Sequence, residues 1–363
     1  MSVSCHRLVT TLRGLGRTVD VAVLGGGGEG SWEVEELHRD RGMEFRLPPS
    51  LHPATAFHLL RHAVAGLARK GEGAAWVVGF GANLPGLFAV SLEAWTGMPA
   101  AVMVRGNDLD RDWFDPKRAP WVREALSRAR LVTAVSREKV EVIRRLFPGA
   151  RVEFLPNGVD PRWWEPLPRD LERARELRSS PALAQAELVV GLLGEIKEKK
   201  GLPLLLRAIR RGGLLSRVSL LTVGRLDGPS QALLDDPVLS PSHLHLPFVP
   251  REELAGVYGA CDLVVIPSLY DGMPNVMLEA MACGVPVAAS TAGGMVDVLE
   301  DGVTGLLFRP GSWEELARCL GRALELGREG LAAMGRRAQA VVKERFPPEA
   351  EARGLLSLLE RAR

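Results

Sequence analysis

The stretch PSLYDGMPNVMLEAMACGVPVAAS, Pro267 to Ser290, decides how the chain is read. The short, β-branched run Leu263 to Ile266 before it predicts a buried strand. Asp271, Gly272, Met273 and Pro274 then build a turn. Asn275 stands where a helix N-cap belongs, and Val276 to Ala282 reads as helix. Gly284 closes that helix, Pro286 prevents its continuation, and Val285 to Ala289 starts the next strand. Strand, turn, helix and strand make a βαβ unit. Its helix begins at the carboxyl end of a strand, where open α/β sheets take ligands, and amides at such a helix start suit a phosphate. Two carboxylates frame the turn: Asp271 just before it, and Glu279 a turn into the helix on the face of Asn275. They could hold two parts of a polyhydroxylated ligand. Spacing alone fits a surface turn and a packing helix with one solvated Glu at least as well.

A chain of 363 residues is long for one core and suits two domains. With 46% hydrophobic and 25% charged residues it is a soluble globular composition. The net charge of +2, with basic residues dispersed, argues against nucleic acid as a partner. Cys5, Cys261, Cys283 and Cys319 are scattered through apolar settings without a Cys-x-x-Cys pair, which predicts buried free thiols in a reducing cytoplasm. No apolar run approaches the ~20 residues of a membrane span. The opening MSVSCHRLVTTLRGLG is amphipathic and lacks the apolar centre of a signal peptide. A cytoplasmic location is expected, with at most peripheral contact at the inner face of a membrane.

Along the chain, Val3 to Leu15 reads as a helix, Val19 to Leu24 as a strand, Pro53 to Lys70 as a helix and Ala75 to Phe80 as a strand. Gly79 to Pro85 is a glycine-rich turn, and Ala100 to Val104 is a strand ending at RGNDLD. Trp121–Arg130 and Lys139–Leu146 read as helices, Leu131–Val135 and Val152–Leu155 as strands. Residues 161–186, crowded with Pro, Trp, Arg and Glu, read as a linker carrying a charged helix from Asp170 to Arg178. A second α/β series follows: strands at Leu188–Leu193, Val218–Val223 and Leu244–Val249, helices at Leu202–Arg211 and Leu254–Ala260, then the opening stretch. Arg207, Arg210 and Arg211 on Leu202–Arg211 invite a membrane-surface reading, but its place between two strands favours core packing. Trp313–Leu326, Leu331–Arg345 and Glu349–Arg363 complete the helices.

Two patterns are weighed and set aside. GGGGEG, Gly25 to Gly30, formally satisfies G-x-G-x-x-G after a strand. In a chain of 39 glycines such matches are common, and no acidic strand end follows about 20 residues later, so a flexible loop is favoured over an NAD site. Asp108-Leu109-Asp110 matches Asp-x-Asp, but a solvated or acceptor-facing loop is favoured over a metal site. No metal site is expected.

Gly272, Pro274, Asn275, Glu279, Ala280, Ala282, Gly284, Pro286 and Val287 stand in the register of a known signature. The stretch resembles the C-terminal signature of retaining glycosyltransferases of the GT-B fold, family 4 in particular. That resemblance implies an α/β chain of two Rossmann-like domains facing across a cleft, with a C-terminal helix crossing back to the first. The implied map is an acceptor-side domain over 1–165, a linker over 166–186, a nucleotide-sugar domain over 187–345 and a crossover helix over 346–363. The implied reaction moves a sugar from a UDP- or GDP-linked donor to a hydroxyl of a glycan or lipid-linked acceptor. Configuration is retained, and neither metal nor other cofactor takes part.

The resemblance also implies roles. Asp271, standing where the family has Glu, touches the donor sugar; Glu279 takes the ribose hydroxyls; Lys200 meets the diphosphate. These are the expected catalytic residues. Backbone groups of Gly272, Met273, Pro274, Asn275 and Val276 meet sugar and phosphate, and Phe248, Val249 and Pro250 flank the base. Glu195 occupies the position of a phosphate-binding Arg. A carboxylate ~4 Å from a phosphate opposes binding by up to about 4 kcal/mol at a partly screened site. Glu195 is therefore expected to turn away, to pair with Lys197 or Lys199, or to face a ligand with donors. On the acceptor side, Ser136 and the PNGVD run that holds Asn157 match in register, while Arg105 and Asn107 stand where many members carry a His. The family's first strand and glycine-rich loop have no counterpart before Val3. These departures support one alternative, a non-catalytic relative that binds a glycan or partner; a nucleotide-sugar epimerase of the same fold and an NAD oxidoreductase resting on GGGGEG alone are the others.

Overall fold

Continuous apolar runs such as LVVGLL and VSLLTV, rather than alternating ones, are what parallel strands covered on both faces require. The computed structural model describes residues 3–24, 34–35, 44–47, 54–55, 57–58, 76–196, 198–236 and 243–363. Its chain forms two α/β units: Met1–Asn157 with Pro348–Arg363, and Gly158–Pro347.

The first unit runs α1 (Val3–Gly14), β1 (Val21–Leu24), β2 (Val34–Glu35), β3 (Glu44–Leu47), β4 (Val77–Phe80), α2 (Leu84–Thr96), β5 (Ala100–Val104), α3 (Asn107–Asp110), α4 (Ala119–Arg128), β6 (Leu131–Ala134), α5 (Arg137–Leu146) and β7 (Val152–Phe154). Strands β4, β5, β6 and β7 pair in that order, all parallel, and β1-β3-β2 form a separate small sheet. In the second unit follow α6 (Pro168–Arg178), β8 (Leu188–Leu193), α7 (Leu202–Arg211), β9 (Val218–Val223), α8 (Gly228–Leu234), β10 (His243–Leu246), α9 (Leu254–Gly259), β11 (Leu263–Ile266), α10 (Asn275–Ala282), β12 (Val287–Ser290), β13 (Gly305–Phe308) and α11 (Trp313–Arg345). The last helix, α12 (Pro348–Arg361), returns to the first unit.

Alternation along β5 splits the first core in two. Ala100, Val102 and Val104 pack with Val90, Val122, Leu126 and Ile143 of α2, α4 and α5. Ala101 and Met103 pack on the other side with Leu8 and Leu12 of α1 and Leu355, Leu358 and Leu359 of α12. One buried carboxylate ties this second face together. Glu351 of α12 accepts hydrogen bonds from Arg7 and Arg105, each at 3.0 Å.

The structure departs from the sequence expectations at definite places. Asn275 is the first residue of α10 and not its cap; Pro274 holds the cap position without a side-chain bond, because its fixed φ already suits a helix start. Asp108 and Asp110 are not in a solvated loop. Buried Asp108 accepts from the amides of Ala82 at 2.7 Å and Arg105 at 2.8 Å, and Asp110 pairs with Lys139 at 2.7 Å. The segment 166–186 packs within the second unit, with Ala174 and Leu177 of α6 buried and α6 against α9. Helix α2 and strand β13 were unanticipated, and α11 is interrupted at Gly327 (φ 60°), near the expected gap between two helices. Of the cysteines, all free, Cys261 and Cys319 are buried but Cys5 and Cys283 only half-buried. Burial pushes the Cys261 thiol up to about 12 and Cys319 up to about 11, so both stay protonated. Gly25–Gly30 lies outside the described residues, as does most of the helix expected over 53–70. No described helix is long and apolar enough to cross a membrane.

The Glu351 side chain is 1% exposed, with Arg7 and Arg105 at 11% and 14%, so removing it strands two cations away from water. Glu351→Ala is expected to cost about 3–5 kcal/mol, read as a lowered urea midpoint. Glu360→Ala, which removes an exposed pair with Arg17 at 3.7 Å, is expected to cost under about 1 kcal/mol.

Candidate active site

The six-stranded sheet of the second unit has the order β10-β9-β8-β11-β12-β13. The chain thus winds outward in one direction through β8, β9 and β10, then reverses and continues through β11, β12 and β13. The reversal lies between β8 and β11. In open sheets of this kind crossover helices diverge at such a reversal, and ligands usually bind there, at the strands' carboxyl ends. The loop leaving β8 carries Glu195 and Lys200, and the loop leaving β11 carries Asp271 and the start of α10.

Close backbone contacts fasten these two loops. The Leu269 amide donates to the Lys199 carbonyl at 3.0 Å. Gly201, at φ 76°, passes so near the Pro267 carbonyl that a Cβ would sit 2.1 Å from its oxygen. Gly293, at φ 58°, comes as close to the carbonyl of Asp271, where a Cβ would lie 2.0 Å away. The turn is thus pressed between two glycines from neighbouring loops. Ser290 adds a bond to the Ser268 carbonyl at 2.6 Å.

Within this frame the Lys200 ammonium meets Asp271 Oδ2 at 2.6 Å. Asp271 also accepts from the Gly272 amide at 2.9 Å and from the Ser268 hydroxyl at 3.4 Å. At 29% and 14% side-chain exposure, Lys200 and Asp271 are both reachable by a ligand. The helix starting at Asn275 directs its positive end to the same side. Its inner face, Met277, Leu278, Ala280 and Met281, is buried, and Gln339 donates to the carbonyl of Ala282 at its far end at 2.7 Å. Half-buried Glu279 accepts from the Tyr258 hydroxyl at 3.0 Å.

Expected residues elsewhere fall as follows. Glu195 is exposed, its carboxylate 3.8 Å from Arg225, which leaves the end of neighbouring β9. Lys197 lies outside the described residues, and the Lys199 ammonium sits over the Tyr270 ring at 5.0 Å. Phe248 is 79% exposed, with half-buried Val249 and Pro250 beyond it, on the segment following β10. In the first unit, Arg105 and Asn157 are brought together. Arg105 donates to Asn157 and Glu351, lies over the Phe80 ring at 4.5 Å, and has its guanidinium pulled below its usual value by burial. Ser136 is fully buried and caps α5, accepting from the Lys139 amide at 3.2 Å; Asn107 is exposed at the start of α3. Sequence reasoning passed over Tyr258 and Ser268. Tyr258 lies in the run Leu254–Ala260, which reads only as a helix, although it is one of only two tyrosines in the chain.

Residues 174–341 match the family described as Glycosyl transferases group 1, and residues 1–163 match Glycosyltransferase Family 4. The chain belongs to the family 4-like glycosyltransferases of the GT-B fold. Among curated relatives of this glycosyltransferase family, 2-deoxystreptamine glucosyltransferase of Streptomyces kanamyceticus is 30% identical over 210 residues. That match covers 56% of this chain and 53%, about half, of the relative. Among solved structures, sucrose-phosphate synthase from Thermosynechococcus elongatus superposes with a TM-score of 0.82 at 21% identity, over 99% of this chain and 92% of that one. Anabaena HepE in complex with UDP superposes with a TM-score of 0.75 at 21% identity, over 99% and 96%. The two-unit parallel α/β architecture is the one these glycosyltransferase-fold neighbours share.

The close approach at Gly201 gives a direct test of how the site is framed. Gly201→Ala forces a methyl against a carbonyl at a left-handed backbone position. It is expected to cost about 1–3 kcal/mol by chemical denaturation. Gly213→Ala, also left-handed but with nothing within 4 Å, separates the backbone cost from the collision and is expected to cost less.

Proposed function

We propose that the protein transfers a sugar from a UDP- or GDP-linked donor to an acceptor hydroxyl, with retention of configuration and without a metal. The observation that carries this reading is the convergence of Lys200, Asp271 and the start of α10 on one crevice at the sheet's reversal point. Breaking a sugar–diphosphate bond places charge on the departing phosphate. A lysine and a helix start supply positive charge there, pre-aligned, in place of a metal ion.

In this reading the donor exchanges partners with the site. Lys200 leaves Asp271 for the diphosphate, and sugar hydroxyls replace it as donors to Asp271. A partly exposed ion pair is worth about 0–1 kcal/mol, whereas each charge-assisted hydrogen bond to the donor is worth about 1.5–3 kcal/mol. The exchange therefore favours binding. The backbone from Gly272 to Val276 orients sugar and phosphate, Glu279 holds the ribose, and Phe248 to Pro250 flank the base. The acceptor hydroxyl attacks from the face the phosphate leaves. Its proton passes to that phosphate, the old glycosidic bond breaks, and the new one forms on the same side. Glu195 opposes phosphate binding only weakly in this arrangement, because it is 51% exposed and beside Arg225. The acceptor is a glycan or a lipid-linked hydroxyl.

Incubation with a panel of UDP- and GDP-sugars, with and without acceptors and with excess EDTA, tests the reaction. Release of nucleotide that persists in EDTA is expected. Glu279→Ala is expected to weaken nucleoside diphosphate binding about tenfold or more by calorimetry and, because the buried Tyr258 hydroxyl loses this acceptor, to lower stability by about 1–3 kcal/mol. An unchanged dissociation constant would remove Glu279 from the site. The acidic residue at Glu195 favours a second reading, a non-catalytic relative that binds a glycan or a partner; no nucleotide release in any combination, with weak or absent nucleotide-sugar binding, would select it.

A further inference from the structure

The phenol of Tyr258 has no part in the reaction described above, yet it makes a contact with the site. Tyr258 is among the largest fully buried side chains of the protein, 1% exposed, on the short helix α9. A buried phenol needs a partner, and this one donates to Glu279 Oε2 at 3.0 Å. Burial and then the Glu279 charge push the phenol well above its usual value. It therefore stays protonated and can act toward the carboxylate only as a donor. A glutamate's last torsion is soft and nearly two-fold, so nothing intrinsic fixes which way its oxygens face. A hydrogen bond to one oxygen from a rigid, buried ring does fix it.

The ring in turn is wedged. Trp164, also 1% exposed, meets Tyr258 edge-on, with centroids 5.6 Å apart and planes at 79°. Trp164 ends the turn Pro161–Trp164, just after the chain enters the second unit. Arg251, beyond Pro250 in the segment assigned to the base, places its guanidinium 5.7 Å from the Trp164 ring and 6.0 Å from that of Trp163. One run of contacts thus connects the segment after β10 to Glu279 through two buried aromatic rings.

We propose that Tyr258 is a positioning residue for the nucleotide: its hydroxyl holds the Glu279 carboxylate in the orientation that receives the two ribose hydroxyls, and Trp164 holds Tyr258. The ligand so recognised is a ribonucleoside diphosphate, and the discrimination is against nucleotides lacking the 2′ and 3′ hydroxyls. This inference rests on the assignment of Glu279 to the ribose.

The test compares UDP and GDP with their 2′,3′-dideoxy forms by calorimetry, using the full-length protein. For wild type, the ribonucleotide is expected to bind at least about tenfold more tightly. Tyr258→Phe keeps the ring and its packing. It is expected to weaken the ribonucleotide by about tenfold and leave the dideoxy form within about twofold. Added to Glu279→Ala, it should cause no further loss. Trp164→Phe should show the same ribose-dependent pattern to a smaller degree, which keeps the test available if Tyr258→Phe is poorly folded. Equal losses for both nucleotide forms would make Tyr258 a packing residue and overturn the inference. A wild type that binds both forms equally, with Glu279→Ala unchanged, would instead overturn the ribose assignment and this inference with it. If Glu279→Ala is ribose-selective but Tyr258→Phe is silent, the positioning role alone falls.

Discussion

The contact on which the site depends is the one between two loops, where Gly201 lies against the Pro267 carbonyl and Lys200 reaches Asp271. Neither loop could hold this geometry alone. The strand order sets β8 beside β11, so their carboxyl ends open on the same crevice. A side chain at position 201 would hold the loops apart, and the left-handed backbone there is one that only glycine adopts without cost. Gly293 does the same from the side of β12. The turn that orients the proposed donor is therefore fixed by neighbours on both sides, and its precision comes from backbone approach more than from side-chain bonds.

The two units handle buried charge differently. In the first, Glu351 is sealed between Arg7 and Arg105, and Asp108 is spent on backbone amides. These carboxylates have no capacity left for a ligand, and they secure α12 and the end of β5. In the second, Lys200 and Asp271 are paired but reachable, and their bond is worth less than what a charged ligand offers each partner. Distance alone would not separate the two cases, since all these pairs lie at 2.6–3.0 Å. Exposure does: 1% for Glu351 against 14% for Asp271.

Most of the second unit was legible in the sequence because its signals are local. Strands β8, β9 and β11 and helix α7 are bounded as their apolar runs and flanking glycines predict. The site motif was legible for the same reason, being one continuous stretch. What escaped was whatever depends on distant partners. Helix α2 opens with Leu84-Pro85-Gly86 and looked like a continuation of the glycine-rich turn; packing against the β5 face makes it a helix. Asp108 and Asp110 looked solvated because their amide and lysine partners lie up to 29 residues away in sequence. Tyr258 and Glu279 are 21 residues apart on separate helices, and neither helix's pattern contains the other. Arg225 beside Glu195 belongs to the same class, since only the pairing of β8 with β9 brings the two loops together.

Under the proposed function, the Lys200–Asp271 pair also bears on what kind of ligand this site prefers. A bare nucleoside diphosphate can draw Lys200 to its phosphates, but it leaves Asp271 with only the Gly272 amide and the Ser268 hydroxyl as donors. A sugar attached to the diphosphate brings hydroxyl donors to the place Lys200 vacates. The cost of breaking the pair is then met from both ends of one molecule, and neither charge is left uncompensated. Before the donor arrives the pair is neutral; after it binds, the positive lysine faces phosphate and the carboxylate faces hydroxyls. After transfer the sugar is gone, Asp271 again lacks a strong donor, and Lys200 is pulled back toward it. In the proposed reaction the same ion pair that competes with donor binding thus favours product release, because it competes harder with the diphosphate than with the diphosphate sugar.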